Sequence, residues 1–340
     1  MKARRGRVPP SVARPMRMNA TACALLMAFV AAVGHAGTAA GQGTFPTRPV
    51  RFIVPFPPGG ASDIQARLLG QALTIQYGQN LLIDNRPGAG TGLATELAMR
   101  TPPDGHTWLF VTTAFVINPS LRKVAYDPIK DFAPLIWLGS SPNMLIANPS
   151  FPANGIQDLI RLARAKPEHI TYASAGAGTA SHVSIEMLQT MTGIKLTHVP
   201  YKGIAQAMVD LMAGQVNLLV TSPVAAVPVV RQGKAKALSV GGATRSASAP
   251  EVPTVAEQGV KGYEASAFQG VVLVAGTPRP LVERIYRDID AAARLPGVRE
   301  RLVEDGSAYV GGTPDMFGQH IRAESAKWAK VVRESGAKAD

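Results

Sequence analysis

The chain has 340 residues, 46% of them apolar, enough for one large or two ordinary domains with real cores. Its net charge of +12 is uneven: the first 40 residues hold six basic side chains and no acid, and taking these away leaves +6. That remainder is scattered, with no basic stripe interleaved with aromatics, which excludes nucleic acid as a partner; the one cysteine, Cys23, excludes a disulfide framework.

Residues 1–40 read as an export signal. A basic region runs to about Asn19, and the uncharged run ATACALLMAFVAAV over residues 20–33 follows. That run is too short to span a bilayer, which needs about 20 residues. Small residues then offer cleavage after Ala36, Ala39 or Ala40. A mature chain cut there carries no thiol.

A strand is predicted over residues 50–56, ending in PFPPGG, and a helix over 63–77 with a stripe of Ile64, Leu68, Leu69, Ala72 and Leu73. Pro55, Pro57 and Pro58 stiffen this junction and supply no donors, while Gly59 and Gly60 let the backbone turn sharply and approach a ligand. Ser62 with Gln65 fits a capping box. Free N–H groups and the positive end of the helix dipole make such a junction an anion site. A plain strand-to-helix turn has the same composition.

A strand over 81–83, a turn over 86–90, a helix over 93–100 and a strand over 107–112 come next. Gly88, Gly90 and Gly92 mimic a dinucleotide fingerprint, but Leu93 occupies its final glycine position and Asp104, nearest the required acid spacing, sits in a turn. Further strands are predicted over 144–147, 170–174, 195–199, 217–220, 237–240 and 271–275. Helices are predicted over 156–165 (capped by Asn154, stopped by Pro167), 180–190, 205–213, 280–293, 298–304 and 314–334. Alternating strands and helices indicate an α/β protein with parallel sheets covered on both faces, and ligands in such sheets sit beyond the carboxyl ends of strands.

Two more loops lie at such ends. SAGAGTASH at residues 174–182 repeats the first design, with Ser174 ending a strand, Gly176 and Gly178 opening the backbone, and Thr179 and Ser181 at a helix start. VPYKG at 199–203 offers the Tyr201 phenol and the Lys202 ammonium before Gly203 and another helix. His182 and Glu186 stand four apart, a spacing open to a metal, but no third ligand is suggested. No P-loop, nucleophile elbow or H-E-x-x-H motif occurs, so no catalytic residue is assigned.

Seven segments in order, PFPPGGASD, DNRPGAG, PPDGHTWLF, YDPIKDFAP, VPYKG, LMAGQV and VPTVAEQG, together resemble the Bug family, the tripartite tricarboxylate transporter extracytoplasmic solute receptors. The resemblance implies a two-lobed periplasmic binding protein of the type II kind, with two crossing strands between lobes and the ligand in the interlobe cleft. Residues 44–143 plus 274–340 would form lobe one and 144–273 lobe two, with crossings near 144–147 and 271–275. A small mono- or dicarboxylate, or an acidic amino acid, would be held by Phe56, Pro57, Pro58, Gly59, Gly60, Ala61, Ser62 and Asp63. Ser174, Gly176, Gly178, Thr179 and His182 would close from the other lobe, beside Tyr201, Lys202 and Gly203. The implied protein is a monomer in the periplasm, without metal or other cofactor. It delivers its ligand to the transporter's membrane permease subunits or to a sensor kinase. The alternative is a secreted α/β enzyme such as a hydrolase. Departures from the family pattern, Ile204 for a second glycine, Asn217 for an aspartate and Ala267-Phe268 for a tryptophan, bear on the pocket rather than the fold. Asp63 either stabilises its own helix or meets a ligand ammonium.

Overall fold

A computed structural model describes residues 45–303 and 308–337; the export signal expected over 1–40 lies outside them. The chain alternates as expected. β1 (Val50–Val54), β2 (Leu81–Asn85) and β3 (Thr107–Thr112) are joined through α1 (Ala61–Tyr77) and α2 (Gly92–Met99), and α3 (Ala114–Leu121) follows. β4 (Phe132–Pro142), β5 (Met144–Ala147), α4 (Ile156–Ala165), β6 (Thr171–Ser174), α5 (Ala180–Thr192) and β7 (Thr197–Pro200) come next. Then come α6 (Ile204–Met212), β8 (Leu218–Thr221), α7 (Pro223–Arg231), β9 (Lys236–Val240) and β10 (Ser266–Val274). The chain closes with α8 (Arg279–Arg294), α9 (Pro296–Val303), β11 (Ala308–Gly312) and α10 (Pro314–Ser335).

The strands form two sheets, in the orders β11-β4-β10-β3-β1-β2 and β7-β6-β8-β5-β9. β1 runs parallel to β2 and β3, and β6 parallel to β7 and β8. The expectation of purely parallel sheets is corrected: β10 is antiparallel to β3 and β4, β11 to β4, and β5 to β8 and β9. β4 and β5, separated by Asn143 alone, fall in different sheets.

β4, α3, α7 and β11 were not legible as elements. β4 carries Pro134 and Pro142 opposite Val272 and Ser266 of β10, in a ladder with two register shifts, so its prolines read as turn residues. α3 and α7 contain Pro119 and Pro228, which read as breakers. In α3, Ala114, Phe115, Val116, Ile117 and Asn118 are all buried in succession, so no amphipathic stripe betrays the helix. β10 begins at Ser266, earlier than the expected 271.

Both sheets are covered by apolar side chains, with Phe52, Trp108, Phe110 and Phe268 wholly buried in the first and Tyr172, Leu218 and Leu219 in the second. α10 packs against α3, α5 and β4, so it touches elements of both halves. The chain passes from the first sheet to the second at Asn143 and returns just before β10. The Asn143 amide donates to Ala265 O (3.2 Å) and to Ser184 Oγ (2.7 Å), tying both passages to α5.

Candidate functional site

β1 and β6 each deliver the chain from a strand end into a glycine loop and a helix, the arrangement that positions both predicted loops. In the first loop Gly59 takes φ +83°, a left-handed angle with nothing within 4 Å of a built Cβ. Pro57, Pro58, Gly59, Gly60 and Ala61 are exposed, while Phe56 and Ser62 are half-buried. The predicted capping box is corrected. Gly60 is the N-cap of α1 and makes no side-chain cap bond, so Ser62 does not cap.

Asp63 braces the loop ahead of the helix instead. It is buried, and its carboxylate accepts from Gly59 N (2.8 Å), Arg67 Nε (2.9 Å) and Asn85 Nδ2 (2.9 Å). Burial by itself would raise its pKa, but the bonds from Arg67, Gly59 and Asn85 outweigh it and hold the carboxyl below its ordinary range. Asn85 also donates to Phe56 O (3.0 Å), so β2 braces the loop from beside it. The carboxylate thus turns the loop back on itself. The backbone N–H groups of Gly60, Ala61, Ser62 and Asp63 carry no hydrogen-bond partner among the described residues.

The second loop is braced more heavily. Ser174 is fully buried; its Oγ accepts from Gly176 N (3.1 Å) and shares a 2.7 Å hydrogen bond with His198 Nε2. Ala175 N donates to Ser181 Oγ (3.1 Å), and Thr179 Oγ1 donates to Gly176 O (2.7 Å). Gly178 N donates to His182 Nδ1 (3.2 Å), which fixes the neutral imidazole with its proton on Nε2. His182 stacks on His198 at 4.2 Å between ring centres. Burial first, and the neighbouring His198 second, push its pKa down to about 3. The first-turn N–H groups of Ala180, Ser181 and His182 have no partner among the described residues.

Glu186, the other half of the spacing noted for a metal, lies 3.7 Å from His182 Nε2. It accepts from Tyr172 Oη (2.7 Å) and Gln189 Nε2 (2.8 Å), a buried network. The described residues contain no cluster of three or more His, Cys, Asp or Glu able to hold a metal. In the third segment, Tyr201 N donates to Ser174 O (3.1 Å), so this turn lies against the second loop. Tyr201 Oη donates to Asp210 (2.7 Å), which commits the phenol to α6. Lys202 is exposed, and Gly203 caps α6 with extended backbone.

No hydrogen bond joins residues 56–63 directly to 174–182 among the described residues. Two side chains missed by sequence reasoning, Asn118 and Arg122 at the end of α3, reach from the first half to the second loop. Asn118 Nδ2 donates to Gly90 O, and Arg122 Nη2 donates to Ala177 O (3.2 Å). Ala89, Gly90 and Thr91 follow one another with φ of +48°, +58° and +84°. Gly90 is therefore a packing glycine, placed against α3 rather than against a dinucleotide. The available signal was the pair Gly90 and Gly178, whose missing Cβ atoms make room for Asn118 and Arg122.

A family model described as "Tripartite tricarboxylate transporter family receptor" matches residues 65–337. The chain is 33% identical to Protein BugT of Bordetella pertussis over 318 residues, covering 93% of this chain and 97% of BugT. Among solved structures, R. palustris Rpa4515 with adipate superposes with a TM-score of 0.78 at 35% identity, covering 87% of this chain and all of that one. MatC from Rhodopseudomonas palustris with bound malate gives 0.75 at 32%, covering 85% of this chain and all of that one.

Proposed function

The chain belongs to the tripartite tricarboxylate transporter receptor family, whose members are periplasmic solute-binding receptors and not enzymes, and from that premise we propose that it captures a small carboxylate in a cleft between two lobes and passes it to the membrane permease subunits of such a transporter. We further propose the division into lobe one, 44–143 plus 274–340, and lobe two, 144–273, with the second bound drawn back to Ser266 because all of β10 (Ser266–Val274) pairs in the first sheet. Residues 1–40 direct export and are removed.

The observation that carries this reading is the pair of braced loops. Gly60–Asp63 and Ala180–His182 leave consecutive N–H groups unpartnered among the described residues at two helix starts. Loop-internal side chains, Asp63, Ser174, Ser181 and His182, occupy the donors behind them. Backbone donors at helix N-termini select an anion and say little about the rest of the ligand. Asp63 is committed to Gly59, Arg67 and Asn85, which favours a carboxylate without an ammonium over an amino acid. Adipate and malate in the two R. palustris structures support a mono- or dicarboxylate.

The test is mass spectrometry of ligand co-purified with the exported protein, followed by thermal-shift screening of ligand-free protein. At about 100 times its dissociation constant a ligand adds about 2.7 kcal/mol of stability. Shifts from adipate, malate or related acids are expected; shifts confined to sugars or polyamines would refute the reading. N-terminal sequencing of the exported protein should begin between residues 37 and 41.

A further inference from the structure

We infer that Arg122 is a positioning residue of the second loop, a latch that orients the peptide between Ala177 and Gly178 only while the two lobes stand together; this rests on the two-lobed receptor reading. That peptide is gripped at both ends. Its N–H donates to His182 Nδ1 (3.2 Å), a partner on α5 in the same half of the molecule. Its C=O accepts from Arg122 Nη2 (3.2 Å), a partner on the turn after α3 in the other half. The first grip travels with the loop. The second exists only when the halves are close.

The packing around this contact is built for it. A Cβ on Gly178 would lie 2.9 Å from Leu121 Cδ2, 3.0 Å from Asn118 Oδ1 and 3.4 Å from Arg122 Nη2. A Cβ on Gly90 would lie 3.2 Å from Asn118 Oδ1 and 3.3 Å from Arg122 Nη2. Two glycines at left-handed angles, one from each half, thus leave the space that Asn118 and Arg122 fill. Arg122 Nε is buried without a hydrogen-bond partner. The Ala177 carbonyl is therefore the polar anchor that sets the guanidinium's position, where an arginine elsewhere would follow an acid. The gripped peptide precedes the Ala180, Ser181 and His182 N–H groups by two residues, so holding it aligns those donors. Closure and donor alignment become one event, and the ligand leaves only after the latch lets go.

The experiment places spin labels at Ile75→Cys on α1 and Gln232→Cys beyond α7, both exposed, in the exported chain, which has lost Cys23 with residues 1–40. Interlobe distances are then measured in ligand-free protein by pulsed electron paramagnetic resonance. Arg122→Ala should lower the closed-to-open ratio about tenfold, the scale of one charge-assisted hydrogen bond. Arg122→Lys keeps a donor and should stay within about threefold of the native ratio. With adipate as the probe, Arg122→Ala should speed dissociation about tenfold and leave association unchanged. An unaltered distance distribution in Arg122→Ala overturns the inference, as does an equal loss in the alanine and lysine variants, which would mark a packing role. Slower association, or weaker dicarboxylate binding with the distances unaltered, would make Arg122 a ligand contact and likewise overturn it. The distance measurement needs no ligand, so failure of every carboxylate to bind would sink the receptor reading alone.

Discussion

Acidification should loosen this protein through His182, and the size of the effect follows from linkage. The unfolded chain protonates this imidazole near its ordinary 6.5, the folded chain only near about 3. Above 6.5 both states are neutral and stability is unaffected. As pH falls below 6.5 the unfolded state takes the proton and the folded state refuses it, so stability declines until the folded pKa is reached. Each pH unit in that window is about 1.36 kcal/mol, so between pH 7.5 and pH 5 the loss is about 2 kcal/mol. The structural cause is plain: His182 is buried, its Nδ1 is occupied by the Gly178 N–H, and a second imidazole is stacked on it. His182→Asn supplies an amide oxygen to accept from Gly178 but cannot titrate. Urea denaturation of the native protein and this variant at both pH values isolates the term, since His320, whose pKa burial also lowers, contributes equally to both. The expected result is a pH penalty about 2 kcal/mol larger in the native protein. Equal penalties would refute the claim that His182 folds neutral.

Three further outcomes are expected. Gly178→Ala should cost about 1–3 kcal/mol by thermal or urea denaturation, since its φ of +81° and a 2.9 Å approach to Leu121 both oppose a Cβ, whereas Gly60→Ala, with φ of −79° and nothing nearer than Pro57 O at 3.7 Å, should fold normally and show its defect in calorimetric binding alone. Asp63→Asn should cost about 1–3 kcal/mol, because the buried carboxylate anchors Gly59 N, Arg67 and Asn85; its lowered pKa means that this contribution is complete above its ordinary 3.8 and fades as pH falls through the folded value. An Asp63→Asn protein of native stability would remove the carboxylate from that role. Ser174→Ala should cost about 1–3 kcal/mol of stability, read by denaturation, because it strips a buried hydroxyl from both His198 and Gly176 N; a loss seen in ligand affinity alone would instead place the hydroxyl on the ligand.

Much of the architecture was legible in the chain because its signals are local. Thr107–Thr112, Met144–Ala147 and Ile156–Ala165 were read at their observed bounds, since each is an apolar run or stripe punctuated by Gly, Pro or polar residues. Both glycine loops were legible for the same reason: a strand, two glycines and a helix start are neighbours in sequence. What composition concealed were elements stabilised by distant partners. β4 tolerates two prolines because β10 accepts them across a shifted ladder, and α3 hides its period because it is buried on successive positions.

The roles of the loop side chains were decided by tertiary structure alone. Ser62 and Gln65 have capping-box spacing, yet Asp63 closes the first loop, because Asn85 arrives from β2 and Arg67 from the next turn of α1 to hold its charge. Ser174, expected beside a ligand, has its hydroxyl held beneath the second loop by His198, a residue 24 positions away. Arg122 had no motif to announce it, and becomes meaningful only where Gly90 and Gly178 converge on it. Sequence determined where donors would be left at strand ends and helix starts, since backbone hydrogen bonding is settled within a few residues. Which side chains brace those donors depended on contacts between residues far apart in the chain, and these exist only once both sheets are packed.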